Sequence, residues 1–259
     1  MKVLVTNDDG IGAPGLKRLV RELSGRGHEV YVVAPLEHMS GMGKAMRVRA
    51  RYGEASMPGA KRAWWVDSTP ASTVYIAINL LLDAKPDLVV SGINRGPNMG
   101  LEDFLTSGTI GAAIEAALNG VPGLASSLAC DNAYSEEDYQ VAAVITAGLV
   151  DLLHGAKGST IVNLNTPPEP RGVLGTRLAW NNYKIPLTIR DGSIEPAVEG
   201  FRNRYWDLRP GSDVWAVMNG YASISYVDLE SLNNLGSLEE AERLAESLAR
   251  LMGGELGEQ

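Results

Sequence analysis

The sequence predicts an α/β fold built on a mostly parallel sheet with helices on both faces. Up to about residue 166, short and near-continuous apolar runs alternate with amphipathic stretches, the pattern of strands buried on both sides. The first such run, Val3 to Val5, passes into an acidic glycine turn, Asn7-Asp8-Asp9-Gly10, and Pro14 then stands at a helix's first position. After Thr166 a proline-rich stretch leads into shorter strand-like runs, the mark of a β-rich C-terminal extension. Residues 1–166 therefore read as an α/β core, and residues 167–259 as an extension with a terminal helix, within one continuous domain.

The elements follow in order. Leu16, Leu19, Val20 and Leu23 share one face of a helix from about Pro14 to Leu23, stopped by Gly25 and Gly27. A strand from Glu29 to Ala34 ends at Pro35, and Leu36 to Lys44 is a loop. Arg47, Arg49 and Arg51 alternate with smaller residues. This basic stripe at strand period serves equally well as a solvated face or as an anion contact. Trp64 to Val66 is a strand. Thr69 caps and Pro70 opens a helix whose Val74, Ala77, Ile78, Leu81 and Leu82 turn inward. Leu88 to Val90 is a third sheet strand, and Ser91 to Gly100, rich in Gly and Asn, is a loop.

A helix from about Gly108 carries Ile110, Ala113, Ile114 and Ala117, and a strand spans Gly123 to Ser127. Ser135 caps the next helix, with Glu136, Glu137 and Asp138 where the helix dipole favours acid. Ile161 to Leu164 is another strand. Val173 to Val227 reads as short strands, including an alternating run from Val214 to Val227. Ser237 with Glu240 forms a capping box for a final amphipathic helix on Leu238, Ala241, Leu244, Ala245, Leu248 and Leu251. That helix packs either on its own sheet or across a subunit interface.

Composition narrows the function. The chain has 259 residues, 45% hydrophobic and 21% charged, enough for a sizeable core. A net charge of -8 argues against sequence-neutral nucleic-acid binding, which the phosphate backbone drives. Cys130 is the only cysteine, so no intrachain disulfide forms, and with three histidines no zinc-type spacing exists. Neither a signal-peptide run nor a membrane-spanning run is present, so the expectation is a cytoplasmic protein with no membrane partner.

The chemistry centres on Asp8 and Asp9. Two adjacent carboxylates at a sheet mouth repel each other and are partly desolvated. A hard divalent cation such as Mg²⁺ or Mn²⁺ neutralises them with oxygen ligands. The plainer alternative is that one of them caps the helix or shapes the turn. Gly10, Gly12 and Gly15 also spell G-x-G-x-x-G, with Glu37 past the second strand, as in dinucleotide sites. Yet two carboxylates would face the pyrophosphate where an anion must be welcomed, which disfavours that reading. Ser107-Gly108-Thr109, opening a helix, is an anion cradle. A cation site beside an anion cradle points to phosphate-ester hydrolysis.

At these residues the sequence closely resembles the SurE family of survival proteins, metal-dependent 5′-nucleotidases. The resemblance is carried by NDDG at Asn7, AP…SG from Ala34 to Gly41, SGIN-x-G-x-N from Ser91 to Asn98, and SGT at Ser107. Weaker agreement runs through Val162-Asn163-Leu164-Asn165 and Asp213 to Ser225. It implies a Rossmann-like core and one divalent ion per subunit held by Asp8, Asp9, Ser40 and Asn94. Phosphate contacts fall on Asn98, Ser107, Gly108 and Thr109. Asp8 and Asp9 are the expected catalytic residues, with Asp8 the most exacting. The implied reaction removes phosphate from nucleoside 5′-monophosphates, in a homodimer or homotetramer with no stable nucleic-acid partner. A broader acid phosphatase or exopolyphosphatase, or a non-catalytic nucleotide-binding regulator, are the rivals. Ser68 before Thr69-Pro70, Thr106 before the SGT motif and a lengthened Gly100 to Leu105 depart from the family pattern and bear on base preference. His38, two residues before Ser40, is either a loop residue or a neighbour of the site.

Overall fold

The computed structural model describes residues 1–180, 187–197, 205, 208–234 and 242–245. Eleven strands lie among them. They are β1 (Lys2–Thr6), β2 (Glu29–Pro35), β3 (Tyr52–Ala55), β4 (Arg62–Val66), β5 (Leu88–Arg95), β6 (Gly123–Leu128), β7 (Thr160–Thr166), β8 (Val173–Thr176), β9 (Leu187–Arg190), β10 (Ser193–Pro196) and β11 (Ala222–Asp228). The helices are α1 (Pro14–Gly25), α2 (Pro70–Ile76), α3 (Gly100–Thr106), α4 (Gly108–Leu118), α5 (Gln140–Leu152) and α6 (Asp213–Met218).

Nine strands join one sheet in the order β3-β4-β2-β1-β5-β6-β7-β11-β8. From β4 to β7 every pairing is parallel, whereas β3 and β11 run antiparallel to β4 and β7. β9 and β10 form a separate antiparallel hairpin. The mostly parallel sheet expected from the sequence is therefore present.

β1, β2 and β5 are buried on both faces, which explains the apolar runs Val3 to Val5, Val30 to Ala34 and Leu88 to Val90. In β1, Val3 and Val5 pack with Leu16, Leu19 and Leu23 of α1 and Ala143 and Ala147 of α5. Leu4 points the other way, toward Val74 and Ala77 at α2 and Ala112 and Ala116 of α4. Each fully buried leucine contributes roughly 1.5–3 kcal/mol of transfer free energy, so this stripe alone fixes α1 on the sheet. Thr69 caps α2 as the sequence implies, its side chain accepting from the Ser72 amide at 3.3 Å.

Several sequence expectations are corrected. Ser91 to Gly100 is not all loop. β5 runs on to Arg95, pairing with β6 through a bulge between Ser91 and Asn94. Gly92 makes the bulge feasible, because its φ of 144° suits glycine and a Cβ would sit 2.3 Å from the Ser126 carbonyl oxygen. α3, absent from the sequence reading, follows at Gly100. Val214 to Met218 is helix rather than strand: Ser212 caps α6 by accepting from the Trp215 amide at 3.1 Å, and the strand starts only at Ala222. Ser135 does not cap α5. Instead the Asp138 carboxylate accepts from the amides of Tyr134 and Ser135 and from the Ser135 hydroxyl.

Arg47 to Arg51 lie ahead of β3, where Arg47 bonds the Asp67 carbonyl at 2.8 Å and Arg51 its carboxylate at 3.0 Å. Of the predicted terminal helix, residues 242–245 are helical, while Ser237, Leu238, Glu240, Ala241, Leu248 and Leu251 lie outside the described residues. Among the described residues no helix is long and apolar enough to cross a membrane.

Candidate active site

β1 pairs with β2 on one side and β5 on the other, so chain connections diverge at its carboxyl end. Open α/β sheets form their ligand crevice at this kind of switch point. Asp8 and Asp9 follow β1, and Asn94 sits near the end of β5. The acidic turn is held by Asn7, whose amide donates to the Gly10 carbonyl at 2.9 Å and whose Oδ1 accepts from the Gly10 amide at 3.2 Å. The Met39 amide donates to the Asp8 carbonyl at 2.7 Å, which brings the loop carrying Ser40 to the same place.

A cavity of about 350 Å³ opens there. Asp8, Ser40, Asn94, Asn98 and Ser107 line it, and Gly41, Arg95, Gly96, Pro97, Asp103, Thr106, Asp131 and Tyr134 complete its wall. Gly108 and Thr109 stand directly behind Asp8. The Thr109 hydroxyl donates to Asp8 Oδ1 at 2.7 Å, and a Cβ on Gly108 would lie 2.9 Å from the Asp8 Cβ. Asp9 faces a neighbouring cavity of about 260 Å³ with His38, Arg95, Tyr134 and Tyr139 among its walls. Of the eight residues singled out in the sequence, five line this cavity, Gly108 and Thr109 stand behind Asp8, and Asp9 lines the neighbouring cavity. His38 joins them, its Nδ1 lying 3.2 Å from Asp9 Oδ1.

The electrostatics are unbalanced toward negative. Asp8 is 2% exposed, and burial followed by repulsion from Asp9 pushes its carboxyl up to about 6. Burial also raises Asp9, countered in part by the Arg95 amide, which donates to its Oδ2 at 3.3 Å, and by His38. Among the described residues no lysine or arginine pairs with Asp8. No three His, Cys, Asp or Glu side chains there cluster as a metal cage. The remaining oxygen donors are neutral. Asn94 spends its amide N–H on the Gly96 carbonyl at 2.8 Å, leaving Oδ1 as a ligand. Ser40 lines the same cavity. Two carboxylates with a hydroxyl and an amide oxygen fit a hard divalent cation.

Against Asp8 stands the N-terminus of α4. Ser107 caps it, accepting from the Ile110 amide at 3.3 Å. The Gly108 and Thr109 amides have no intrahelical partner and form an anion cradle with the positive end of the dipole. Asn98 is fixed from three sides. Its amide donates to Asn165 Oδ1 at 2.7 Å, its side chain to Ser127 Oγ at 2.9 Å, and its carbonyl accepts from Asn163 and Asn165. One side-chain N–H of Asn98 is left for a ligand.

Compared with known proteins, residues 3–185 match the family model described as Survival protein SurE. The chain belongs to the SurE family. The match takes in every described residue that lines the cavity. The 5′-nucleotidase SurE of Pelotomaculum thermopropionicum is 37% identical over 99% of each chain. The 5′-nucleotidase SurE 1 of Thermus thermophilus is 36% identical over 96% of this chain and 100% of its own. The crystal structure of the SurE protein from Aquifex aeolicus superposes with a TM-score of 0.74 at 30% identity, covering 97% of this chain and 100% of that one.

Sequence reasoning missed part of the crevice. Asp103, Asp131 and Tyr134 line it, and Asn163 and Asn165 brace Asn98 from β7. The two asparagines left a signal, since polar residues at alternate positions interrupt an otherwise apolar strand. Asp213, like these two asparagines, entered the sequence reading only as weaker family agreement, with no role assigned. Fully buried at the start of α6, it accepts from the amides of Gly100 at 2.8 Å and Ala179 at 2.9 Å, and so fastens the start of α3. Thr106, one of the departures from the family pattern, does reach the cavity wall.

Proposed function

We propose that this SurE-family protein is a divalent-cation-dependent 5′-nucleotidase, hydrolysing nucleoside 5′-monophosphates to nucleoside and phosphate. The reading rests on one observation above all: a buried carboxylate, Asp8, lies directly beneath the unpaired amides of a helix N-terminus. Alone, Asp8 and Asp9 would repel a phosphate. Asp8, Asp9, Ser40 and Asn94 would hold the cation, Mg²⁺ or Mn²⁺, one per subunit. When bound, the cation polarises a phosphoryl oxygen and eases deprotonation of the attacking water.

The chain's own groups do the rest. The Gly108 and Thr109 amides, the Ser107 hydroxyl and the free Asn98 N–H grip the phosphoryl oxygens and stabilise their charge as it spreads. Asp8 and Asp9 are the groups placed to accept a proton from attacking water. Water's oxygen bonds to phosphorus while the bond from phosphorus to the 5′ oxygen breaks, and that oxygen takes up the proton the carboxylate received from the water and leaves as the nucleoside hydroxyl. We further propose that the protein works in the cytoplasm as a homodimer or homotetramer.

Phosphate release from AMP, GMP, CMP and UMP, with EDTA, Mg²⁺ or Mn²⁺, tests the reading. Release that needs a metal and is lost in Asp8→Asn supports it. Nucleotide binding without release under any metal would sink it in favour of a regulator. Including an aryl phosphate and short polyphosphate separates a nucleotidase from a general phosphatase.

A further inference from the structure

The cavity that receives the phosphate is almost wholly polar, and it says nothing by itself about what the phosphate is attached to. Its walls contain one aromatic side chain among the described residues, Tyr134. That ring also lines the second cavity beside Asp9, so it forms the partition between the two spaces. It is 69% exposed, in contrast to Tyr139 five residues on, which is 1% exposed and part of the core. A large ring held outside the core contributes little to folding.

Yet the ring is not carried on a slack loop. The Asp138 carboxylate gathers the Tyr134 amide at 2.9 Å, the Ser135 amide at 2.8 Å and the Ser135 hydroxyl at 3.0 Å. One carboxylate thus pins the backbone beneath the ring by two amide hydrogen bonds, with the Ser135 hydroxyl as a third partner. One ring face is engaged by the Arg95 guanidinium, 5.4 Å from the centroid. Arg95 is in turn anchored by its own amide on Asp9 Oδ2. The stack is therefore registered to the acidic pair, and a rigid, amphipathic ring stands at a defined place beside the phosphate cavity.

We infer that Tyr134, backed by Arg95, is the platform on which the nucleobase of the substrate stacks, and that it sets the preference for nucleotides over phosphate esters lacking a base. The inference rests on the nucleotidase reading and deepens it. Every base has a π-face, so such a platform favours nucleotides as a class without choosing among bases. A guanidinium behind the ring strengthens it in the same base-independent way.

The test compares kcat/KM for AMP with that for ribose 5-phosphate, which has the same phosphate and sugar but no base. In Tyr134→Ala the ratio of the two is expected to fall about 5- to 100-fold, the usual worth of one stacked base. Tyr134→Phe keeps the π-face and is expected to retain the ratio, whereas Tyr134→Leu, apolar but not aromatic, loses it. A ratio within twofold of the unsubstituted protein in Tyr134→Ala overturns the assignment while leaving the nucleotidase reading intact. Failure of the unsubstituted protein to release phosphate from AMP under any metal overturns both.

Discussion

Replacing Asp8 by asparagine is expected to make the metal-free protein more stable while abolishing its response to metal. Burial beside Asp9 raises this carboxyl from 3.8 to about 6. The native state therefore binds the Asp8 proton more tightly than the unfolded chain does. Stability from this group is complete below about pH 4 and is lost as pH rises through about 6. At one pKa unit per 1.36 kcal/mol, keeping Asp8 ionised at pH 7.5 costs the fold about 3 kcal/mol.

Asparagine removes that charge but keeps an oxygen to accept the Thr109 hydroxyl, now at 2.7 Å. In EDTA at pH 7.5, Asp8→Asn should melt roughly 6–12 °C higher than the unsubstituted protein, and the two should converge near pH 4. Adding Mn²⁺ should raise the melting temperature of the unsubstituted protein and leave the variant where it was. Thermal melts across pH 4 to 8, with and without Mn²⁺, measure all three. A variant less stable than its parent at pH 7.5 in EDTA would refute the reasoning, since Asp8 would then be a structural partner rather than a strained charge.

Two further changes probe the same corner. Gly108→Ala places a methyl 2.9 Å from the Asp8 Cβ and 3.1 Å from the Pro70 ring, so Asp8 must move. Phosphate release is expected to fall at least tenfold with the fold retained by circular dichroism, and an unchanged rate would show that the carboxylate yields without consequence. Thr109→Val preserves shape but deletes the hydroxyl that holds the Asp8 carboxyl down, so that carboxyl rises further and protons compete with metal up to a higher pH. Loss of one charge-assisted hydrogen bond, about 1.5–3 kcal/mol, moves the acid limb of Mn²⁺ binding upward by one to two pH units. Calorimetric titrations at several pH values read that limb directly, and a limb that stays put contradicts the role given to Thr109.

The parts of the fold legible in the sequence were those written locally. The β1 run, the α1 stripe and the Thr69-Pro70 start each rest on neighbours within a few residues, and the structure keeps them. Ser91 to Arg95 failed because its glycine and asparagines read as loop, while its strand pairing is supplied by Ser127 and Leu128 of a distant segment. Val214 to Met218 failed for a different reason: its five consecutive apolar residues fit a strand or a helix alike, and the Ser212 cap decides for helix.

For the crevice, the polar signature motifs stood out, and the structure gathers their residues around one cavity and its neighbour. Tyr134 stood out from nothing, because a lone aromatic has no period or spacing to betray it. Asp213 was noticed only as part of a similar stretch, and its task is defined by amides, of Gly100 and Ala179, that any residue carries.

That clamp has a consequence for the order in which the molecule becomes competent. Every described residue lining the cavity precedes residue 135, and so leaves the ribosome well before Asp213 does. A nascent chain can fold its acidic turn and the sheet around it, yet the Gly100 amide at the head of α3 still lacks the Asp213 carboxylate that fastens it. The crevice is thus finished by a late-arriving stitch, and a partly synthesised chain carries its acidic pair beside an unfastened α3.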